Sequence, residues 1–534
     1  MKSNEMNQKM HADQIEIGPP VPNDLMGKDK AALLLAEADH TVTITAADHG
    51  RVLRKIDLTI LPVLLTVYCL QYLDKATLSY ASVFGLIKDA HLRGQDYSWL
   101  GSIVYVAQLV MQPLIAYSLV KLPIGKFVAT MVLGWGITLC CMVAATNFGG
   151  LMAARFVLGA LEASVAPAFI AITQMWWRRI EQTNRVAAWY SMLGVVNMLG
   201  SLLTYGLGHI QSRLHPYQII FLFCGTLTVA FSIVIFFVLP DSPMEARFLK
   251  GDDKLIAIER LKANQMGVAS RVWKWDHLKE SFLDIKTWFW FAMIFSVSIP
   301  SSGISTFGPL IIQSFGYDSF KTILFNIPFG AVQLVATLGG AYLATHWKRK
   351  GPVLLLLCVP PIIGCVILIA MDHTASHRGV LLFGYYIISF YPGISPLIYS
   401  WSSQNTAGDT KRKCTTAFLF IGQSAGNIVG PHLYTPSEAP RYLRGLVSNL
   451  IMFLVIILLV VLTTLYLMFL NKRHAKRRVQ VGKSAEIADQ SMMDKKTWNK
   501  YEGGAHSGNN GQQSFEKAFD DETDLKNEDF VFVY

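Results

Sequence analysis

About a dozen long apolar runs, separated by short loops in which Lys and Arg gather at every second one, constrain this chain more than any motif in it. A helix needs roughly 20 mainly apolar residues to cross a bilayer. On that measure spans fall near 57–79, 98–118, 127–145, 150–171, 186–206 and 218–239. A second set falls near 287–309, 322–343, 351–371, 379–401, 414–434 and 447–470. Backbone polar groups inside hydrocarbon must be satisfied within the segment, so these runs are read as helices. The expected fold class is an all-α polytopic membrane protein with 12 transmembrane helices in two six-helix bundles.

Composition agrees with that reading. Mean hydropathy is +0.36 and only 16% of the 534 residues are charged, fewer than a soluble surface of this size carries. The polar first 50 residues lack the basic, apolar, small-residue succession of a cleaved signal, so the first span is expected to be retained. Most of the seven cysteines, among them Cys69, Cys140, Cys141 and Cys365, lie inside apolar runs, with neither disulfide nor metal-ligand spacing. The net charge of +10 sits beside spans, not on a continuous basic face, which argues against nucleic acid as a partner.

Basic residues orient the array. Arg51, Arg54 and Lys55 precede span one, Lys121 and Lys126 lie between spans two and three, and Arg178, Arg179 and Arg185 follow span four. The same side receives the linker, then Lys348–Lys350, Lys411–Lys413 and the basic stretch through Arg478. Both termini are therefore expected in the cytosol. The domain expectation is a polar segment over 1–50, bundles over 51–240 and 287–471, a linker over 241–286 and a largely disordered tail over 472–534, rich in Gly, Ser, Asn and acid. Gly422, Gly426 and Gly430 share one face of span eleven, for close packing or for a sliding interface. Trp99, Trp176, Trp177, Trp288 and Trp290 at span ends are expected as interfacial anchors.

Ionisable residues are costly in hydrocarbon, so the few that persist there are the functional candidates. Span one ends in QYLDKATLSY with Asp74 and Lys75, and span four reads LMAARFVLGALEASVAPAF with Arg155 and Glu162. The last two are almost two helical turns apart and project from one face. Asp74 pairs either with Lys75 or with Arg155, leaving a cation to receive a carboxylate. Arg155, whose planar fork matches a carboxylate, is the first candidate for substrate, and Lys75 supplies a point charge. Glu162 is the candidate proton carrier, with Asp74 beside it, coupled to the anion through Arg155. The competing reading makes Arg155, Glu162 and Asp74 a static buried ion network that only fixes packing. Tyr72, Gln108, Tyr391 and Asn427 are further candidate substrate contacts. Gln71, Tyr105, Asn197, Tyr205, Ser301, Ser302, Asn326, Gln333, Ser395, Tyr399 and Gln423 are weaker ones.

These motifs resemble the fungal allantoate permease family, the anion:cation symporters of the major facilitator superfamily. The likeness rests on RKIDLTILPVLLTVYCLQYLDKATLSYASVFGL, ARFVLGALEASVAPAF, VLPDSPMEARFL, WSSQNTAGDTKRK and GNIVGPHLY, in order over roughly 50–475. The resemblance implies the superfamily fold and proton-driven uptake of a small organic anion across the plasma membrane by a monomer without cofactors. Allantoate, ureidosuccinate, nicotinate, pantothenate, biotin and small peptides are the family's substrates. It also implies that related transporters use the positions of Asp74, Lys75, Arg155 and Glu162, and that the loop bearing Lys121, Gly125 and Lys126 gates the cytosolic side. Three positions depart from the family: Lys75 stands where Arg is usual, the arginines expected after Lys126 are missing, and Asp409 replaces a common His. An efflux carrier or uniporter on the same fold, and a non-transporting nutrient sensor, are the alternatives. No phosphate-binding loop, metal cluster or nucleophile with its base is visible in the sequence, so no enzyme is expected.

Overall fold

The computed structural model describes residues 46–83, 96–208, 210, 214–262, 264, 272–314, 325–372, 375–434, 441–485 and 521–534. The expected N-terminal polar segment lies almost wholly outside them. The first half comprises α1 (Ala46–Val83), α2 (Asp96–Lys121), α3 (Ile124–Cys141), α4 (Phe148–Glu162), α5 (Val165–Trp176), α6 (Arg179–Tyr190), α7 (Met192–Gly208) and α8 (Pro216–Val238). Two short linker helices follow, α9 (Asp252–Lys262) and α10 (Trp275–Leu283). The second half comprises α11 (Ile285–Ser314), α12 (Asn326–Trp347), α13 (Gly351–Ala370), α14 (Arg378–Ile388), α15 (Ile394–Gln404), α16 (Asp409–His432) and α17 (Leu443–Gln480).

Among the described residues, eleven stretches are long and apolar enough to cross a membrane. The twelfth span is α16, which falls short because it opens on Asp409, Lys411, Arg412 and Lys413 and continues with Gln423, Ser424 and Asn427. Protein surrounds it instead: α16 packs against α11 on one side and α2 on the other. A helix shielded in this way does not need a lipid-compatible surface. The chain is thus a multi-pass, all-α membrane protein of twelve spans in two bundles.

Three spans are broken rather than continuous. Span four turns at Ala163 and Ser164, where Pro167 in the first turn of α5 has no N–H for the Ala163 carbonyl. Span five breaks at Ser191, and span ten passes through a short 3₁₀ turn at Tyr391–Gly393. The breaks put Glu162 at the end of one half-helix and Tyr391 at the start of another, where side chains leave the regular helix faces.

Glycines set the closest helix contacts. Gly422, Gly426 and Gly430 all abut α11: a Cβ on Gly426 would meet the Phe295 carbonyl at 2.6 Å, and one on Gly422 would meet the Phe291 carbonyl at 2.9 Å. Both helices belong to the second half, so this stripe is packing within a bundle. Between the halves the close contact is α7 on α12, where a Cβ on Gly194 would lie 2.6 Å from the Gly330 carbonyl and one on Gly330 2.7 Å from that of Gly194.

The linker, both chain ends of the membrane domain and the tail share one side of the bundle, here termed the linker face. There Asp253 of α9 takes Arg51 (3.0 Å) and Lys55 (2.5 Å) from α1, and Arg260 takes Glu181 (2.7 Å). The hydrogen bond from Lys55, ahead of that from Arg51, holds the Asp253 carboxyl below its ordinary value.

Two expectations are corrected. Trp176, Trp177 and Trp290 are buried core residues, not anchors: Trp177 donates to Asp57 (2.7 Å), Trp176 stacks on Phe248 and Trp290 packs on Trp401. Trp99 and Trp288 are half exposed, as anchors should be. The tail differs too. Residues 486–520 lie outside the described residues, but 521–534 are docked, with Phe530 and Phe532 buried against the linker face. What orders this segment is the pair of phenylalanines and Asp524, which find a matching surface that composition alone does not reveal.

Candidate functional site

A cavity of about 1450 Å³, its open mouth included, lies between the halves. Its first-half wall carries Tyr72 and Lys75 from α1, Tyr105 from α2, Arg155 from α4 and Asn197 from α7. The facing wall carries Ser302, Asn326, Gln333, Tyr391 and Asn427. Among the described residues the lining holds two cations, Lys75 and Arg155, both on the first half, and no carboxylate. The cavity is therefore mixed in polarity, positively biased on one side and neutral on the other.

The local sequence explains how Arg155 reaches it. Along α4 the buried residues are Leu151, Arg155, Leu158, Gly159 and Glu162, one stripe of helical period. Gly159 lets that stripe approach α2, since a Cβ there would lie 2.6 Å from the Val104 carbonyl. Glu162 ends the stripe behind the cavity wall, and Lys75 bridges the gap with its Nζ 3.9 Å from Glu162 Oε2. Gln108 donates to the same oxygen at 3.5 Å, and Gln71 donates to the Glu162 backbone carbonyl at 3.2 Å. The Lys75 ammonium also stands 5.6 Å from the Tyr72 ring centroid and 6.0 Å from that of Tyr105.

Of its two expected partners, Asp74 faces Arg155 and not Lys75. It is buried, and among the described residues its carboxylate oxygens accept no hydrogen bond and make no ion pair. Helical phase separates it from Lys75: adjacent residues point about 100° apart, so when Lys75 faces the cavity Asp74 turns toward Glu162 and Trp135 behind the wall and toward Arg155 in it.

Of the candidate substrate contacts, Arg155, Lys75, Tyr72, Tyr391 and Asn427 line the cavity, and Gln108 sits behind it on Glu162. Among the weaker candidates, Tyr105, Asn197, Ser302, Asn326 and Gln333 also line it, and Asn197 donates to Gln333 across the halves at 2.7 Å. Gln71, Ser301, Ser395, Tyr399 and Gln423 do not. The Tyr205 side chain lies outside the described residues.

The Major Facilitator Superfamily profile matches residues 64–431. The chain belongs to the major facilitator superfamily. An uncharacterized transporter of Schizosaccharomyces pombe is 34% identical over 461 residues, 86% of this chain and 87% of its own. A thiamine pathway transporter of Saccharomyces cerevisiae is 33% identical, over 91% and 86%. Allantoate permease of Saccharomyces cerevisiae is 29% identical, over 84% of each chain. Among solved structures, the proton:xylose symporter XylE superposes with a TM-score of 0.62 at 13% identity, over 76% of this chain and 94% of that one, a likeness of fold. The protein is thus a secondary transporter and not an enzyme, with a cavity suited to a small polar solute.

As a superfamily member the chain must open its cavity to either side in turn, and here the linker face is shut. Tyr72, Tyr68 and Tyr190 cluster beneath the cavity, and the Tyr190 ring meets Tyr399 of the other half at 6.1 Å. Below them Gln174 donates to the Ser403 carbonyl (3.2 Å), and Asn184 accepts from Thr345 (3.0 Å). Arg179 and Gln404 exchange hydrogen bonds, each donating to the other's backbone carbonyl. The sequence singled out none of Tyr190, Gln404 or Arg179 as a site residue. Their only sequence signal is uncommon polarity at span ends.

The first turn of α3, just after the short loop from α2, is tied down at its glycine. Gly125 N–H donates to Asp241 Oδ1 (2.8 Å), Lys126 N–H donates to the same atom (3.1 Å), and Lys126 Nζ lies 3.7 Å from Oδ2. A Cβ at position 125 would meet the Leu239 carbonyl at 2.5 Å, so only glycine fits. Lys121 ends α2 exposed. Asp409, the residue that departs from the resembling family, is buried and binds Lys413 (2.7 Å) and Arg412 (3.4 Å) at the start of α16.

Proposed function

We propose that the protein imports a small organic anion, a carboxylate such as allantoate, ureidosuccinate, nicotinate or another vitamin-like acid, together with protons across the plasma membrane. The linker face is its cytosolic side and the monomer is its working unit. The observation that carries this reading is the pairing of two cavity cations, Lys75 and Arg155, with a fully buried acid 3.9 Å behind one of them. Arg155 offers the fork that fits a carboxylate, and Lys75 is shared between solute and Glu162.

Coupling follows from that sharing. A buried carboxylate is tolerated as an anion only beside a cation. A solute carboxylate that draws Lys75 away leaves Glu162 to take a proton, and a protonated Glu162 leaves Lys75 available to the solute. Binding of anion and of proton therefore reinforce each other, as linkage requires. Asp74, buried against the same group, is the second acid in the relay. Lys121, Gly125 and Lys126 act at the cytosolic gate, the last two through Asp241. The likeness to allantoate permease supports the choice of anion class.

The test is uptake of radiolabelled allantoate, nicotinate, pantothenate, biotin and dipeptides into cells expressing the chain, at acid and neutral outside pH, with and without an uncoupler. Uncoupler-sensitive accumulation that rises in acid supports proton symport and names the solute. Accumulation of a neutral or cationic solute instead would overturn the anion reading, and saturable binding without accumulation would make the protein a sensor.

A further inference from the structure

The docked C-terminal segment 521–534 crosses the seam between the halves at the point where the linker face is closed. We propose that it is an intramolecular latch, seated in a peptide-binding cradle on the linker face, which must withdraw from Arg179 before the cavity opens on that side. The latch acts on the closed face, whichever solute is carried.

Recognition in the cradle is largely of backbone. Asn471 donates to the Phe532 carbonyl and accepts the Phe532 N–H, both at 2.8 Å. Asn405 does the same for Val533, at 2.9 and 2.8 Å, and Trp401 adds a 2.8 Å donation to the Val533 carbonyl. Two side-chain amides thus read the backbone of the segment as a neighbouring strand would. Phe530 and Phe532 fill the space around them.

Arg179 makes the segment a latch rather than a decoration of one half. It belongs to α6 of the first half, yet it donates to the Val531 carbonyl at 3.0 Å and its guanidinium sits 4.8 Å from the Phe530 ring centroid. The same side chain bonds the Gln404 carbonyl. Parting the halves on this face separates Arg179 from Gln404 and, with the tail docked, from Val531 and Phe530 as well. Interactions present only while the face is shut shift weight toward the closed state.

The charges show that the latch can leave. Asp524 binds the buried Lys286 and Lys411, the latter at 3.0 Å. Those lysines hold two other carboxylates, Asp284 (2.9 Å to Lys286, 2.8 Å to Lys411) and Glu280 (2.9 Å to Lys411). Without the tail, two lysines still face two carboxylates, so departure strands no buried cation, the usual penalty for breaking such a pair. Thr523, whose hydroxyl donates to Glu280 at 2.9 Å, sits among these acids, and a negative charge placed there would repel the segment.

The experiment uses purified protein with a reporter cysteine, Ser403→Cys, at the buried seam, compared as full chain and as a chain ending at residue 520. Thiol labelling of the reporter is read against the same chains without it, with and without a synthetic peptide of residues 521–534. The latch predicts several-fold faster labelling of the shortened chain, reversed by the peptide, and peptide binding that Asn405→Ala with Asn471→Ala abolishes. Equal labelling rates in the two chains, or no binding of the peptide to the shortened chain, would overturn it. Should the shortened chain not purify, full-length Thr523→Glu with Phe530→Ala is read in the same assay, and unchanged labelling there overturns the latch equally.

Discussion

Lys75 and Glu162 face each other from different helices with 3.9 Å between Nζ and Oε2, the lysine on the cavity wall and the glutamate wholly behind it. A separation at the outer limit of ion pairing leaves the ammonium within reach of a second anion. The arrangement also makes the acid's charge depend on where the lysine points.

Glu162→Gln is expected to remove proton-driven accumulation while solute exchange continues, because the amide keeps its place beside Gln108 and loses only the titrating proton. Measuring uptake against a pH gradient alongside counterflow in the same vesicles separates the two. Equal loss of both would place Glu162 in solute binding or folding.

Arg155→Lys keeps a charge and loses the fork, and should lower kcat/KM for the solute roughly tenfold. Arg155→Ala together with Lys75→Ala should lower it by roughly a hundredfold or more, about 2.7 kcal/mol. Uptake rates corrected for surface expression decide this, and a normal rate in the double variant would rule out charge recognition by the pair.

Gly194→Ala places a methyl group 2.6 Å from the Gly330 carbonyl. Overpacking of this kind costs roughly 1–3 kcal/mol. Transport should fall together with the melting temperature in detergent. Gly339→Ala, where a Cβ meets nothing within 4 Å, should change neither.

Docking of the 521–534 peptide should not vary between about pH 7 and pH 9. Asp524 is buried, which alone would raise its carboxyl, but Lys286 and Lys411 overcome this and hold it at about 2 against an ordinary 3.8. A depressed carboxylate contributes its stabilisation above the free value and loses it as pH falls toward the docked one. Fluorescence anisotropy of the labelled peptide across that range checks the flat profile. Binding that falls between pH 7 and pH 9 would put another group in control.

The spans and the cavity cations were legible because hydrocarbon penalises polarity so strongly that Arg155 and Lys75 stand out in a single sequence. Asp74 was legible as unusual but not in its partner, since a one-residue step along α1 turns it away from the cavity. Tyr190, Gln404 and Asn405 were not legible, because their roles rest on residues more than 100 positions away, such as Val533 for Asn405. Trp176, Trp177 and Trp290 were misread for a related reason: a tryptophan at a span end meets lipid headgroups only if no other helix covers it.

Gly194 and Gly330, touching backbone to backbone, also fix a lever. Arg179 stands about 15 residues from Gly194 along α6 and α7, roughly 22 Å at helical rise. Rocking by about 10° about the glycine contact would move Arg179 by roughly 4 Å, more than a hydrogen bond's length. Small angular travel at the fulcrum thus suffices to break the ties farthest from it, those of Arg179 to Gln404 and to the tail, while contacts beside the glycines barely shift.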